Sequence, residues 1–276
     1  MAEEVGKSPG AANDQTDGAP EKNRHFITSV ARAFEVLRAF RPGERFLGNQ
    51  ELARRTGLPK STVSRLTLTL TELGYLSYSK YMEKYSLGTA VLSLGHSFLG
   101  NMEIRRVARP MIQELADHAH ASVAIGVRDR LEMVYVETCR SSATAFTLHL
   151  DVGSHIPIAK TAMGRAYLCG LPEWERDHLI DQLRGRHKDE WQKIRTGIDQ
   201  ALREYQDKGF CLSMGDWHKD VNAVAVPFMP ADGSDLVAFN CGGPAFQLRR
   251  HMLEDDIGPR LVALVRNVAA GMTKLY

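Results

Sequence analysis

Apolar positions recur at helical spacing early in the chain. Ile27, Val30, Phe34, Leu37 and Phe40 do so around SVARAFEVLRAF, and Val63, Leu66, Leu70 and Leu73 do so after Pro59. Each set falls on one face of a 3.6-residue repeat, which predicts an amphipathic helix with a buried stripe. Between them ELARRT reads as a third helix, stopped by Gly57. That glycine can take positive φ without a Cβ clash, and Pro59 suits a first helical position, where its missing N–H costs nothing. Leu76 to Leu87 reads as a short hairpin with Lys80, Tyr81, Lys84 and Tyr85 near its tip. Two further helices follow, Gly88 to Leu99 and Glu103 to His118, separated by Gly100-Asn101.

From Ala121 the period changes. SVAIGVR and LEMVYVET are β-branched and aromatic runs on either side of Arg128-Asp129-Arg130, a hairpin whose turn lacks glycine, and residues 144–151 offer another strand. Thr161–Leu171, Glu173–Arg184 and Glu190–Lys208 read as helices, the last stopped by Gly209. NAVAVPFM and DLVAFNCGG return to strand character, and Ile257, Leu261, Leu264, Val265 and Val268 mark a closing helix. Hairpin strands with helices grouped between them predict an α+β unit around an antiparallel sheet.

The short helix pair broken by Thr56-Gly57-Leu58-Pro59 has the form of a helix-turn-helix. Its second helix keeps Lys60, Ser61, Thr62, Ser64, Arg65 and Thr69 off the apolar stripe, where they face base edges and phosphates. An ordinary αα-hairpin is the competing reading of these residues alone. The preceding helix and the basic hairpin, with Lys80 and Lys84, complete a winged helix. Charge agrees: residues 24–85 hold eleven Lys/Arg against five Glu, a balance of +6, whereas residues 1–23 carry −3 and residues 86–276 carry −1. A concentrated basic charge is what phosphate binding requires, so double-stranded DNA is the expected partner.

At 276 residues the composition is that of a globular protein, with no apolar run near the ~20 residues of a membrane span. Residues 1–23 are acidic, rich in Gly, Pro and Ala, and lack a secretory hydrophobic core, which predicts a disordered tail and a cytoplasmic protein without a membrane role. Cys139, Cys169, Cys211 and Cys241 form no C-x-x-C pair, and His118 and His120 stand on different helix faces. No metal and no cofactor is expected.

SVARAFEVLRAF, ELARRTGLPKSTVSRLTLTLTELGYL and YSLG resemble the DNA-binding half of the IclR family of bacterial transcriptional regulators. PIAKTAMGRAYL, KGF, VNAVAVPFMPADG and FNCGGPA, in that order, are similar to landmarks of its effector-binding half, so the resemblance covers about residues 26–272. Beyond the tail that composition predicts at 1–23, it implies a winged helix-turn-helix domain at 24–87, a linker helix at 88–102 and a GAF-like effector domain at 103–276. It also implies a homodimer or homotetramer in which the apolar helix Thr89 to Leu99 contributes to pairing.

The same resemblance points to three stretches for a small-molecule effector. Ala162, Met163 and Gly164 open a helix, where unpaired N–H groups favour an anion such as the carboxylate of an organic acid. Ser213, Asp216 and Trp217 fall on a loop that closes over the effector in the family, and Asn240, Cys241 and Gly242 lie at a strand end. The chain departs from the family in having Ala159-Lys160 before Thr161 and CLSMGDWHKD after Gly209-Phe210. Lys160, His218 and Lys219 would suit an anionic, aromatic acid. A cysteine-dependent enzyme is the rival reading, with Cys241 as nucleophile and His149, His155 or His218 as base, but no catalytic fingerprint supports it. A DNA binder without ligand would leave two-thirds of the chain without a role. The expectation is a ligand-responsive regulator that is not an enzyme and acts on a near-palindromic operator.

Overall fold

The computed structural model describes residues 25–142, 150–231 and 233–273. The expected tail, His149 and most of the strand expected at 144–151 lie outside the described residues. The chain divides into two compact units, Met1–His96 and Ser97–Tyr276.

In the first unit α1 (Thr28–Arg38), α2 (Asn49–Thr56) and α3 (Lys60–Glu72) precede a hairpin of β1 (Leu76–Ser79) and β2 (Lys84–Leu87). The small core is Val36, Leu47, Leu52, Val63, Leu70 and Leu76. Gly57 ends α2 at φ 68°, the left-handed value that favours glycine. Pro59 is the N-cap of α3, one position earlier than the sequence pattern suggested.

Two apolar stripes differ from expectation. Val36 is the one buried residue of α1, while Ile27, Val30 and Phe34 stay exposed. Leu37 and Phe40 pack half-buried against the core beside Val36, whereas Val30, Phe34 and the outer side of Leu37 wall a groove of about 420 Å³ together with Leu66, Leu70 and Leu73. Leu73 is therefore exposed, and the third inward position of α3 belongs to Thr67, whose hydroxyl donates to the Ser64 carbonyl. The next helix, α4 (Thr89–Gly100), has no buried residue although its sequence is strongly apolar.

The second unit is built on a six-stranded antiparallel sheet of order β5-β4-β3-β8-β7-β6. Its strands are β3 (Ser122–Asp129), β4 (Glu132–Arg140), β5 (His155–Pro157), β6 (Cys211–Met214), β7 (Val221–Phe228) and β8 (Val237–Pro244). The glycine-free turn between β3 and β4 closes with Arg130 at φ 58°. α5 (Glu103–Ala119) and α9 (Gly258–Thr273) cover one face. A short helical turn, Arg250–Met252, and a wider one, Leu253–Ile257, lead into α9. α6 (Ala162–Gly170), α7 (Glu173–Arg186) and α8 (Trp191–Lys208) cover the other face. All five residues predicted to mark the closing helix are buried.

Strand alternation makes the two faces unlike. Val123, Ile125, Val224, Val226, Phe239 and Cys241 pack toward α5 and α9. The opposite face carries Ala124, Ala223, Ala225 and Ala238, with Gly126 and Gly242 at equivalent positions. That floor of small side chains lets α6 approach the sheet closely. A Cβ on Gly126 would sit 2.3 Å from Met163 Sδ, and one on Gly164 would sit 2.2 Å from the Ile158 Cα.

Candidate DNA interface and ligand cavity

The predicted reading face of α3 is presented as a surface. Lys60, Ser61, Ser64, Arg65 and Thr69 are exposed, and Thr62 is half-buried. Ser64 is engaged at its base by the Asn49 amide, which donates to its hydroxyl at 2.5 Å and so ties α3 to the start of α2. Thr69 lies one turn beyond Arg65 on the same side of α3, donates its hydroxyl to the Arg65 carbonyl at 3.1 Å, and also borders the apolar groove beside α1. Leu68, one turn beyond Arg65 and 61% exposed, was missed by the sequence reading. Its signal was an outward leucine on a polar face, a side chain suited to a thymine methyl group.

The charge balance overstated the free cations. Arg55 pairs with Glu44 and Glu51 and also donates to the Ala39 carbonyl at 3.0 Å, and Arg54 makes a second pair with Glu51. These two guanidiniums hold the Glu51 carboxyl down at about 2. They brace α2 and are not available to phosphate. Lys60, Arg65, Lys80 and Lys84 make no ion pair among the described residues, so part of the unneutralised charge of this unit lies on the recognition helix and the wing. Lys80 and Lys84 flank the turn between β1 and β2, with Tyr81 at its tip. Tyr85 is not at the tip. It pairs with Leu47 and stands 4.9 Å from the Tyr78 ring, stiffening the base of the wing.

In the second unit a cavity of about 50 Å³ opens between the small-residue floor and the start of α6. Of the nine predicted effector residues, Ala162, Ser213, Trp217, Asn240 and Gly242 line it, and Met163, Gly164, Asp216 and Cys241 do not. The reasons are geometric. Met163 and Gly164 turn away around the helix, toward Gly126 and Ile158. Cys241 alternates with Asn240 along β8 and so faces α5 and α9, fully buried. Ser213 stands on β6, not on a loop, and Asn240 lies inside β8, not at its end. Lys160 pairs with Glu190 at 2.5 Å, and neither it nor His218 nor Lys219 lines the cavity.

Asp216 has a different task. Its carboxylate accepts from Arg165 Nη1 at 2.7 Å, and the same nitrogen donates to the Leu212 carbonyl at 3.3 Å. Arg165 is buried, and Gly197 makes room for it, since a Cβ there would lie 2.3 Å from Nη2. The pair fastens the loop between β6 and β7, which carries Trp217 over the cavity.

The lining also includes Ser122, Tyr135, Ile156, Thr161, Val221 and Ala223, none of which sequence reasoning named. The alternation in NAVAVPF was the available signal, because its alanines mark the floor. Thr161 caps α6 by accepting from the Gly164 N–H at 3.1 Å. The first N–H groups of the helix, those of Ala162 and Met163, have no intrahelical acceptor. Tyr135 is hydrogen-bonded to Asn240, and burial pushes its hydroxyl up to about 12, so it is a neutral phenol. No Asp, Glu, Lys, Arg or His lines the cavity among the described residues.

The cysteine-enzyme alternative does not fit this geometry. Burial raises the Cys241 thiol to about 12, whereas a nucleophilic cysteine needs its thiolate. His155 faces Glu132, and His218 packs against Trp217.

A winged helix with a basic reading face, joined to an α+β unit that encloses a small cavity, has the architecture of a DNA-binding protein with a separate cavity-bearing domain. The known proteins give that class a family. Residues 29–80 match the IclR helix-turn-helix domain, and residues 96–271 match the bacterial transcriptional regulator IclR C-terminal domain. The HTH-type transcriptional regulator TsaQ1/TsaQ2 of Comamonas testosteroni is 36% identical over 93% of this chain and 92% of its own. A crystal structure of an IclR family transcriptional regulator from Brucella abortus has a TM-score of 0.86 and 48% identity, covering 93% of this chain and 96% of that one. An IclR homologue from Microbacterium hydrocarbonoxydans, solved with 4-hydroxybenzoate, shares the fold at a TM-score of 0.65 and 20% identity, over 89% and 98% of the two chains. The chain belongs to the IclR family of bacterial transcriptional regulators.

Proposed function

We propose that this regulator is ligand-responsive: a small organic acid held in the cavity at the start of α6 alters its affinity for a near-palindromic operator. The observation that carries the reading is that cavity, which joins an apolar lining to a helix N-terminus in a chain whose other unit presents a DNA-reading face. The family supplies a parallel, since one homologue was solved with 4-hydroxybenzoate. The reading assigns DNA binding to 24–87, connection to 88–102 and ligand binding to 103–276, in a cytoplasmic protein.

Pairing of two copies is part of the proposal. One winged helix reads a short half-site, too little to select one site among ~10⁶ or more genomic competitors. α4 supports pairing, because Leu92 is 74% exposed, and Leu94 and Phe98 are each 53% exposed, on an apolar helix with no fully buried residue. The groove between α1 and α3 is a second uncovered apolar surface of the same unit. Closed twofold pairing, as a homodimer or as a homotetramer built from dimers, requires half-sites one helical turn or a multiple apart.

A thermal-shift screen of organic acids, followed by footprinting with and without each hit, tests the reading. Stabilisation without turnover, together with a changed affinity for a symmetric footprint, is the expected result. A single asymmetric protected half-site bound by a monomer would overturn the pairing, and no response to any acid would overturn the ligand assignment.

A further inference from the structure

The polar groups of the cavity are not neutral as to ligand. Asn240 is 94% buried by its 6% exposure, lines the cavity, and its Oδ1 has no hydrogen-bond partner among the described residues. Its amide nitrogen serves Tyr135, whose ionised form the contact favours, as a donor would. A buried acceptor left unmade costs free energy that a ligand donor recovers. The N-terminus of α6, which reaches the same cavity at Thr161 and Ala162, favours an anion. Among the described residues no cationic side chain lines the site, so there the helix end is the group that meets negative charge, enough for one carboxylate.

We infer, building on the acid-sensing reading above, that the effector is a short hydroxy monocarboxylic acid, with its carboxylate at the α6 N-terminus and its hydroxyl donating to Asn240 Oδ1. The size follows from the volume. At about 50 Å³ the cavity is well below the ~150 Å³ that admits a benzene ring, which excludes an aromatic acid while Trp217 stays in place. A three- or four-carbon chain is the scale that remains.

The test is calorimetric titration of the full chain with matched acids: lactate and 3-hydroxybutyrate against propionate and butyrate, pyruvate as an acceptor-only analogue, and 4-hydroxybenzoate against benzoate. A hydroxy acid of the short set binding about tenfold or more tighter than its deoxy partner and than pyruvate, with Asn240→Leu removing the difference, is the expected result. Equal binding of hydroxy and deoxy acids, preference for pyruvate, or binding of the aromatic pair alone overturns the inference while leaving an acid sensor standing. Binding of none of the seven also overturns the inference, and the wider acid screen described above then decides whether the acid sensor falls with it. The wild-type ranking alone decides the matter should Asn240→Leu fail to fold.

Discussion

Asp216→Asn is the substitution whose consequence can be worked most fully from the structure. It removes a charge 2.7 Å from Arg165 Nη1 and leaves the guanidinium with the Leu212 carbonyl at 3.3 Å, while Arg165 Nε has no partner among the described residues. Stripping the partner from a fully buried ion pair costs about 3–5 kcal/mol, because a buried charge is left uncompensated. Here Arg165 is 5% exposed but Asp216 is 32% exposed, so water screens part of the loss, and the asparagine oxygen still accepts a hydrogen bond. A loss of about 2 kcal/mol follows, which lowers the melting temperature of a unit this size by roughly 4–8 °C. Differential scanning calorimetry reads it directly. Arg165→Met combined with Asp216→Asn should be less destabilised than the two single losses added together, since no orphaned charge remains. A single variant melting within about 1 °C of wild type would refute the buried-pair reasoning, and additive losses would refute the coupling.

Three further outcomes follow from other parts of the molecule. Glu51, held to about 2 against an ordinary 4.5, contributes stability that is complete above pH 4.5 and lost as pH falls through about 2; Glu51→Gln should flatten acid unfolding of the first unit in that window, and an unchanged acid profile by circular dichroism would refute the network. Gly164→Ala drives a Cβ into the Ile158 backbone at 2.2–2.6 Å, so α6 and the segment that follows β5 must move apart at a loss of about 2–3 kcal/mol, and a wild-type melting curve would refute the close approach. Arg65→Ala should weaken operator binding by about 1–3 kcal/mol with reduced discrimination between sequences, whereas neutralising Lys80 and Lys84 should weaken all DNA alike and flatten the salt dependence in gel-shift titrations.

The elements were legible wherever a period persisted for several turns. The recognition helix, the β3–β4 hairpin and the closing helix follow directly from the spacing of Val63 and Leu70, of the β-branched runs, and of Leu261 to Val268. The stripe on α1 was legible as a stripe but not as an exposed one, because periodicity reports amphipathicity and not the identity of what covers it. The candidate site was half legible for a related reason. Three consecutive residues on a helix diverge by a third of a turn each, and two on a strand point to opposite faces, so neither Ala162–Gly164 nor Asn240–Cys241 can line one cavity throughout. Tyr135, Ser122 and Ala223 were out of reach, since their meeting depends on cross-strand register spanning more than a hundred residues. Asp216 was placed on the correct loop but given the wrong partner: the buried Arg165 that claims it sits inside an apparently apolar helix.

These placements also bear on how a ligand would be felt. α6 carries the N–H groups that face the cavity and, within its first turn, Arg165, which holds the Trp217 loop. The helix itself is poorly suited to move, because Met163 fills the space above Gly126 and Gly164 rests on the Ile158 backbone. The opposing floor is a hydrogen-bonded sheet whose backbone pairing resists movement. The loop between β6 and β7 is braced more lightly, by the Arg165–Asp216 pair and by the turn bonds from Gly215 N–H to the Val221 carbonyl and from Val221 N–H to the His218 carbonyl. A ligand too large for the resting cavity therefore displaces Trp217 before it displaces α6. That displacement would pull on a single ion pair rather than on the packed core, because the loop is tied to α6 by Arg165 and Asp216.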